Sequence, residues 1–405
     1  MKRVWVFVFL AIAAASGASP NAAKAGMDPQ VLARIPARMK AYVDQGSVAG
    51  VVTLVQRHGA LAEIDAVGMQ DVESGKPMRP DTIFQIMSMT KPVTGVAIMM
   101  LAEEGRLRLN DPVEKHLPEF RGQQVIESRT DSTRTLRKPS RPITIRDLMT
   151  HTSGLPSGPP PGDGELLTTM DRPLSEAVLL YSQQPLEFEP GSKWLYSNPG
   201  IATLGRIVEV AADMPFETFL ETRIFQPLGM KDSGIRLPAE KTGRLAQIYQ
   251  SKDGKLARAS GNLLGGDPLK YRKGAKYSGP EFALYSTAED LALFYQMMLN
   301  KGTLNGRRLL SPASVETMTQ VHTGDLKAGH ELGTGFGLTW EVTKDPLGTL
   351  TGQSKGTFGH GGAYGTYGWI DPKRDLVGVF MIQFSGNRKD VRDTFIEIAA
   401  ASILD

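Results

Sequence analysis

The amino-acid sequence predicts an α/β (α+β) fold, in which an antiparallel sheet is built from both chain ends and is flanked by helices. Residues 47–68 have the apolar pattern of two strands around a turn at His58-Gly59. Residues 366–384 have a similar pattern around a turn at 372–375. Strands from both ends of the chain therefore contribute to one sheet.

The middle of the chain has a different sequence pattern. Residues 90–299 alternate helical patterns with long connections rich in proline and glycine, which indicates an inserted, mostly helical domain. The closing residues 389–404 again have helical spacing. We therefore assign residues 26–90 and 290–405 to a sheet domain and residues 91–289 to a helical domain.

The first 25 residues have the pattern of an export signal. A basic start is followed by an apolar run from Val4 to Ala15 and then by small residues. The run is too short to span a bilayer. Cleavage after Ala18 or after Ala25 fits the pattern, so we expect a periplasmic or secreted protein without a membrane span.

Composition excludes several classes of function. The chain has no cysteine, which rules out disulfides, thiolate chemistry and zinc sites built on sulfur. It holds 46 Lys+Arg and 43 Asp+Glu, and removing Lys2, Arg3 and Lys24 with the signal leaves 43 of each sign. A chain with equal numbers of basic and acidic residues lacks the excess of positive charge typical of nucleic-acid binding, so we expect no nucleic-acid partner.

A serine and a lysine lie at the start of a predicted helix. The apolar residues from Met89 to Leu101 recur at helical spacing, and Pro92 is tolerated only in a first turn, so the helix begins near Ser88. Ser88 and Lys91 share a face there, beside N–H groups that favour developing negative charge. The pattern alone fits either a nucleophile with its base or an N-cap serine with a solvated lysine.

Two other motifs are interpreted as coincidental. Ser354 lies in a G-x-S-x-G sequence, but no helical pattern follows it, as a nucleophile elbow requires. His330-Glu331 lacks the second histidine of a zinc helix, and the six histidines are scattered along the chain. We therefore expect no metal and no cofactor.

The serine–lysine pair is followed by YSN at 196–198 and HGG at 360–362. This ordered set resembles the S-x-x-K, Y-x-N and K-T-G motifs of the serine β-lactamase-fold (penicilloyl-serine hydrolase) superfamily. Connecting segments such as ITIRDLMTHTSGLP (143–156) and FEPGSKWLYSNPG (188–200) resemble it as well. The similarity covers nearly the whole chain after the signal. It implies a class C β-lactamase-like fold, with the active site between the two domains, and the pattern is closest to family VIII carboxylesterases.

The resemblance implies a role for each matching residue. Ser88 would be the acylated nucleophile, and either Lys91 or Tyr196 would be its base. A serine hydroxyl needs such a base at neutral pH, and burial or a nearby cation can lower the pKa of either candidate enough. Asn198 would hydrogen-bond Lys91 or a substrate amide, and the N–H groups of Ser88 and Ala363 would form the oxyanion hole.

The third motif departs from the β-lactamase pattern. His360 replaces the lysine that would bind a substrate carboxylate, Gly361 replaces the hydroxyl residue, and Gly362 is retained. Histidine is mostly neutral near pH 7, so the motif favours neutral esters over carboxylate-bearing β-lactams. His360 also fits a purely structural histidine bonded to backbone.

These observations lead to one expected function and two alternatives. We expect a secreted serine hydrolase that acts through an acyl-enzyme, as a carboxylesterase on short-chain acyl esters. A β-lactamase or D-amino-acid peptidase would use the same site on a small-molecule amide. A non-catalytic sensor that binds β-lactams or peptides is the third reading, although binding alone gives no chemical reason for keeping Ser88, Lys91 and Tyr196 together.

Overall fold

The largest sheet of the protein joins strands from the two ends of the chain. The computed structural model describes residues 21–160, 162, 169–259, 269 and 274–405. The strands are β1 (Gly50–Arg57), β2 (Ala60–Asp71), β3 (Lys76–Pro77), β4 (Phe84–Gln85), β5 (Val125–Arg129), β6 (Arg134–Arg137), β7 (Tyr249–Lys252), β8 (Lys255–Arg258), β9 (Tyr285–Ser286), β10 (Thr303–Leu304), β11 (Arg307–Arg308), β12 (Thr334–Phe336), β13 (Glu341–Thr343), β14 (Phe358–Gly361), β15 (Tyr367–Asp371), β16 (Leu376–Met381) and β17 (Phe384–Ser385).

Helices pack on this sheet and supply most of the regular structure described in the central part of the chain. They are α1 (Pro29–Leu32), α2 (Arg34–Asp44), α3 (Thr90–Glu103), α4 (Val113–His116), α5 (Ile145–Met149), α6 (Leu174–Ser182), α7 (Asn198–Ala212), α8 (Phe216–Leu220), α9 (Gln226–Leu228), α10 (Ala288–Leu299), α11 (Pro312–Thr319), α12 (Pro346–Thr349) and α13 (Lys389–Ala401). A π-helical turn, Glu221–Phe225, joins α8 to α9, and 3₁₀ turns cover Met87–Met89, Pro118–Phe120 and Ala239–Arg244.

The eight-stranded sheet has the order β12-β13-β14-β15-β16-β1-β2-β3, and all its pairs are antiparallel. At its centre β1 lies against β16, so the two ends of the chain meet there. The β1–β2 turn has His58 and Gly59 at positive φ, as a tight two-residue hairpin requires. The predicted fold class and both predicted hairpins are confirmed.

Alternating residues of the central strands face two separate cores. Val52 and Leu54 contribute to the larger core together with Phe294 of α10. Val51 contributes to the smaller core together with Phe395 of α13. Since successive strand residues point to opposite faces, each face of the sheet is covered by helix, as the alternating sequence pattern requires.

The regular structure described within residues 91–289 is mainly helical, but this segment also carries two β-hairpins. β5 pairs with β6, and β7 pairs with β8 and, in parallel, with β17 near the C-terminus. The domain boundaries assigned from the sequence stay a prediction. Within the described ranges, no helix combines the length and the apolar character needed to cross a membrane.

Most of the predicted export signal, residues 1–20, lies outside the described residues, so export stays a prediction. The last residues of the predicted signal, 21–25, are described and pack against the main sheet. Ala22 and Ala25 are buried, and Arg57 donates a hydrogen bond of 3.1 Å to the Ala25 carbonyl. Cleavage after Ala18 would preserve these contacts, whereas cleavage after Ala25 would remove them.

Candidate active site

The turn that precedes α3 positions Ser88. The short strand β4 pairs with β9, and two residues later Met87 adopts a left-handed backbone with φ of 51°. This conformation is uncommon for a residue with a side chain and often marks a functional turn. Ser88 follows in the 3₁₀ turn and reaches the cavity described below.

Lys91 is fully buried in the first turn of α3. Its ammonium group donates hydrogen bonds of 2.9 Å to Ser88 Oγ and 2.8 Å to the carbonyl oxygen of Glu281. Burial disfavours the charged form and lowers the pKa of Lys91 to about 7, although the nearby Glu281 carboxyl opposes the shift. Lys91 can therefore be neutral at physiological pH while it contacts the serine.

Tyr196 reaches the same serine from the N-terminus of α7. Ser197 caps this helix by accepting a bond of 3.1 Å from Gly200 N–H, which fixes the residue before it. The Tyr196 phenol lies beside Ser88, which partly opposes the rise in the pKa of Tyr196, and Lys91 Nζ lies 4.7 Å from the centre of the Tyr196 ring. Burial raises the pKa of Tyr196 above its ordinary value, so the phenol keeps its proton.

The third motif is held against the Ser88 turn by close backbone packing. Gly362 follows β14, and a Cβ atom there would collide with the Ile86 carbonyl oxygen and the Thr366 hydroxyl. Thr366 Oγ1 also donates a bond of 3.1 Å to Ile86 O. The next residue, Ala363, is exposed in the cavity, and its N–H donates to no other backbone group among the described contacts. This leaves the Ala363 N–H available to a ligand.

His360 is buried in β14 and lines the cavity. Its Nδ1 lies 2.7 Å from the Gly361 carbonyl oxygen, and because that oxygen only accepts, Nδ1 carries the proton. Nε2 is buried, with no hydrogen-bond partner among the described residues. Burial and the nearby Lys91 hold the pKa of His360 well below its usual range. His360 thus forms the backbone hydrogen bond expected of a structural histidine. Its unprotonated Nε2 is also a neutral hydrogen-bond acceptor in the site.

Two further residues were singled out from the sequence, Asn198 and Ser354. Asn198 is the first residue of α7, and its N–H donates to Ser157 O. The hydrogen bonds of Lys91 in the described part of the chain go to Ser88 and Glu281, so the predicted Asn198–Lys91 bond stays a prediction. Ser354 is buried on a loop that leads into β14, without the helix that a nucleophile elbow needs.

Sequence reasoning missed a buried carboxyl group behind Lys91. Glu281 accepts a bond of 2.6 Å from the Tyr277 hydroxyl, and its second carboxyl oxygen has no partner among the described residues. Burial raises the pKa of Glu281 to about 7. The segment around Glu281 lies alongside the N-terminal part of α3. There Thr94 Oγ1 donates a hydrogen bond of 2.7 Å to the Pro280 carbonyl oxygen. No local motif marks Glu281, because only the fold brings it to Lys91.

His151 was missed as well. Its ring centre lies 4.5 Å from that of Tyr196, and its Nδ1 accepts a bond of 3.1 Å from Ser197 N–H. Burial holds the pKa of His151 well below its usual range. His151 and His360 thus place neutral imidazoles beside Tyr196, and Lys91 is the amine that contacts Ser88 Oγ.

A cavity of about 380 Å³ opens over Ser88, between Tyr196 and the third motif. Its size suits a small ligand. Three cations line its wall. Lys389 and Arg392 are both ion-paired with Glu331, whereas Arg388 donates hydrogen bonds to the carbonyl oxygens of Ser47 and Asn387. The third motif itself provides no cation, since His360 is neutral.

The fold and the site together define a serine hydrolase with the β-lactamase fold. The family model described as beta-lactamase matches residues 35–402, and the chain belongs to this family. Protein Rv1367c of Mycobacterium tuberculosis is 34% identical over 370 residues, covering 86% of this chain and 88% of that protein. Esterase EstB of Burkholderia gladioli is 32% identical over 376 residues, with coverage of 86% and 91%.

The solved structures agree on the fold. The structure of EstCE1, described as a hydrolase with promiscuous acyltransferase activity, superposes with a TM-score of 0.77 at 24% identity. The match covers 93% of this chain and 98% of EstCE1. The fold class and the serine hydrolase family predicted from the sequence motifs are therefore confirmed.

The pKa of Lys91 predicts how activity depends on pH. If neutral Lys91 accepts the Ser88 proton, kcat/KM should rise with pH through about 7, where Lys91 loses its charge. The Glu281 carboxylate stabilises charged Lys91, so Glu281→Gln should lower the pKa of Lys91. The acid limb of the profile should then move to lower pH, on the order of one pH unit.

The exposed Glu289 on α10 provides the matched control for this pH profile. Glu289→Gln removes the same charge far from Lys91 and should leave the acid limb in place. An acid limb that moves to higher pH in Glu281→Gln would contradict the assignment of Lys91 as the base.

Proposed function

We propose that this protein is a carboxylesterase that hydrolyses short-chain acyl esters through a covalent acyl-serine at Ser88. The observation that carries the proposal is the 2.9 Å hydrogen bond from Lys91 Nζ to Ser88 Oγ, inside a cavity whose third motif lacks a cation. A buried lysine with a pKa of about 7 is a suitable base for a serine hydroxyl. The neutral His360 suits an acyl group without a carboxylate.

The proposed acylation step begins from the contact between Lys91 Nζ and Ser88 Oγ. Ser88 Oγ bonds to the ester carbonyl carbon while its proton passes to Lys91 Nζ. The negative charge on the former carbonyl oxygen is stabilised by the N–H groups of Ser88 and Ala363. When the bond to the alcohol breaks, the leaving oxygen takes the Tyr196 hydroxyl proton, and Lys91 restores that proton to Tyr196.

Hydrolysis of the acyl-enzyme reverses these proton transfers. A water molecule takes the place of the alcohol and bonds to the acyl carbon, and its proton passes through Tyr196 to Lys91. When the acyl–Ser88 bond breaks, Lys91 returns a proton to Ser88 Oγ. The free site is then restored, with one water molecule consumed for each ester hydrolysed.

Substrate preference should follow the charge at position 360. The wild type should hydrolyse p-nitrophenyl butyrate well and benzylpenicillin poorly, because the third motif offers the penicillin carboxylate no cation. A hydrogen bond to a charged group is worth about 1.5–3 kcal/mol, so His360→Lys should raise the penicillin-to-ester ratio of kcat/KM about ten- to a hundredfold.

The matched control is His330→Lys, which adds a cation to the same cavity outside the third motif. An equal gain in this variant would show a general charge effect and contradict the role given to position 360. A wild type that hydrolyses benzylpenicillin faster than p-nitrophenyl butyrate would overturn the esterase proposal and favour the β-lactamase alternative.

A further inference from the structure

Three leucines protrude from the protein beside the active-site cavity. Leu332, Leu347 and Leu350 are 77%, 80% and 75% exposed, and no other large apolar side chain of the described residues is as exposed. We call these three residues the leucine rim. A single exposed leucine is ordinary, but three on adjoining loops need a physical explanation.

The leucine rim borders the cavity through its neighbours in the chain. Leu332 lies between Glu331 and Thr334, and both of these residues line the cavity. The cavity is also lined by Thr349 and Thr351, on either side of Leu350. The rim therefore stands where the cavity wall meets solvent.

Two glycines hold the loops of the rim together. A Cβ atom at Gly348 would lie only 2.6 Å from the Cα atom of Gly333, so the two backbones are in direct contact. The Gly333 carbonyl oxygen also accepts bonds of 2.8 Å from the N–H groups of Lys344 and Asp345. These contacts fix the loops that carry the leucines against each other.

The local structure keeps the leucines out of the core. Asp345 caps α12 by accepting a bond of 3.0 Å from Leu347 N–H. Leu350 ends this helix in a left-handed conformation, with φ of 57°, which glycine would adopt more easily. The chain thus keeps leucine at an exposed position where local backbone geometry favours glycine.

The placement of the rim limits what can cover it. A protein bound stably on these leucines would also lie over the adjoining cavity and hinder substrate access to Ser88. An apolar ester phase would instead deliver substrate to the cavity while it buries the leucines. Protruding side chains, unlike a groove, are suited to insertion into such a phase.

We propose that the leucine rim docks the cavity onto the surface of aggregated apolar esters, so that the protein takes substrate from droplets or micelles as well as from solution. This inference rests on the proposed esterase function. It predicts that wild-type activity on tributyrin increases when the ester exceeds its solubility and forms an emulsion.

The test compares two triple variants. Leu332→Ser/Leu347→Ser/Leu350→Ser should lose activity on the tributyrin emulsion by on the order of a thousandfold, since burying each leucine is worth about tenfold in partitioning and the three factors multiply. Its kcat/KM for soluble p-nitrophenyl acetate should stay within about twofold, because the rim does not touch the reacting atoms. The control replaces three exposed leucines that do not line the cavity, Leu136, Leu179 and Leu404, by serine and should retain both activities.

A binding measurement separates this inference from the proposed function. The inactive Ser88→Ala protein should float with tributyrin droplets in a density gradient, and the rim variant on the same background should not. This readout needs no catalysis, so it stands even if the wild type hydrolyses no ester.

Three results would overturn the inference. The first is equal loss of activity on soluble and emulsified esters, which would make the leucines part of the site for single substrate molecules. The second is unchanged flotation of the rim variant. The third is a wild-type dimer that the rim substitutions dissociate, which would show that a second copy of the chain covers the leucines.

Discussion

Replacing Ser88 with alanine is expected to lower kcat/KM for p-nitrophenyl butyrate by a factor on the order of 10⁴ or more. The substitution removes the atom that bonds to the acyl carbon, so no acyl-enzyme can form. Only the oxyanion donors and the cavity would remain to assist direct attack by water. Because Ser88 is a small residue at the cavity surface, the variant should fold as the wild type does.

Ser354 provides the matched control, since it is the serine of the other hydrolase-like motif. Ser354→Ala should retain nearly full activity. A fluorophosphonate probe should add its mass to the peptide that contains Ser88, and Ser88→Ala should abolish this adduct. An adduct on Ser354, or full activity of Ser88→Ala, would contradict the assignment of the nucleophile.

Removing Lys91 or Tyr196 is expected to cost nearly as much as removing both. Lys91→Met and Tyr196→Phe should each lower kcat by on the order of 10³ or more, because both groups lie on one proton path from Ser88. Lys91 takes the proton, and Tyr196 delivers it to the leaving alcohol, so either loss interrupts the same transfer. The double variant should therefore lose little beyond the larger single loss.

A double-mutant cycle measured by single-turnover kinetics checks this expectation. Losses that multiply in the double variant would show that Lys91 and Tyr196 act independently. Tyr295→Phe is a suitable control, because it removes a buried phenol that does not line the cavity. That variant should keep kcat within about tenfold of the wild type.

Sequence patterns could predict those parts of the fold that neighbouring residues in the chain determine. The turn at His58-Gly59 is marked by its own residues and by the alternating apolar and polar residues of the strands on each side. The helix after Ser88 is marked by Pro92 and by apolar residues at helical spacing. The order of the motifs around Ser88, Tyr196 and His360 then indicated one site, although they lie far apart in the chain.

The parts that could not be predicted depend on contacts between distant residues. Glu281 has no motif of its own, and only the pairing of β4 with β9 brings its segment to the first turn of α3. The proton on His360 Nδ1 follows from a bond to the neighbouring carbonyl, which composition cannot reveal. The exposure of Leu332 was equally hidden, since leucine in a sequence normally indicates the core.

The pairing of β1 with β16 has a consequence for how the chain folds. Val52 faces Met381 in register, so the centre of the main sheet is a contact between residues near opposite ends of the chain. During synthesis the β1 edge of the β1–β2 hairpin stays unpaired until β16, more than 300 residues later in the chain, has emerged. Such high contact order slows folding and leaves apolar strands available for aggregation. Refolding yield should therefore depend strongly on protein concentration, and the nascent chain is a natural client for chaperones that shield exposed strands.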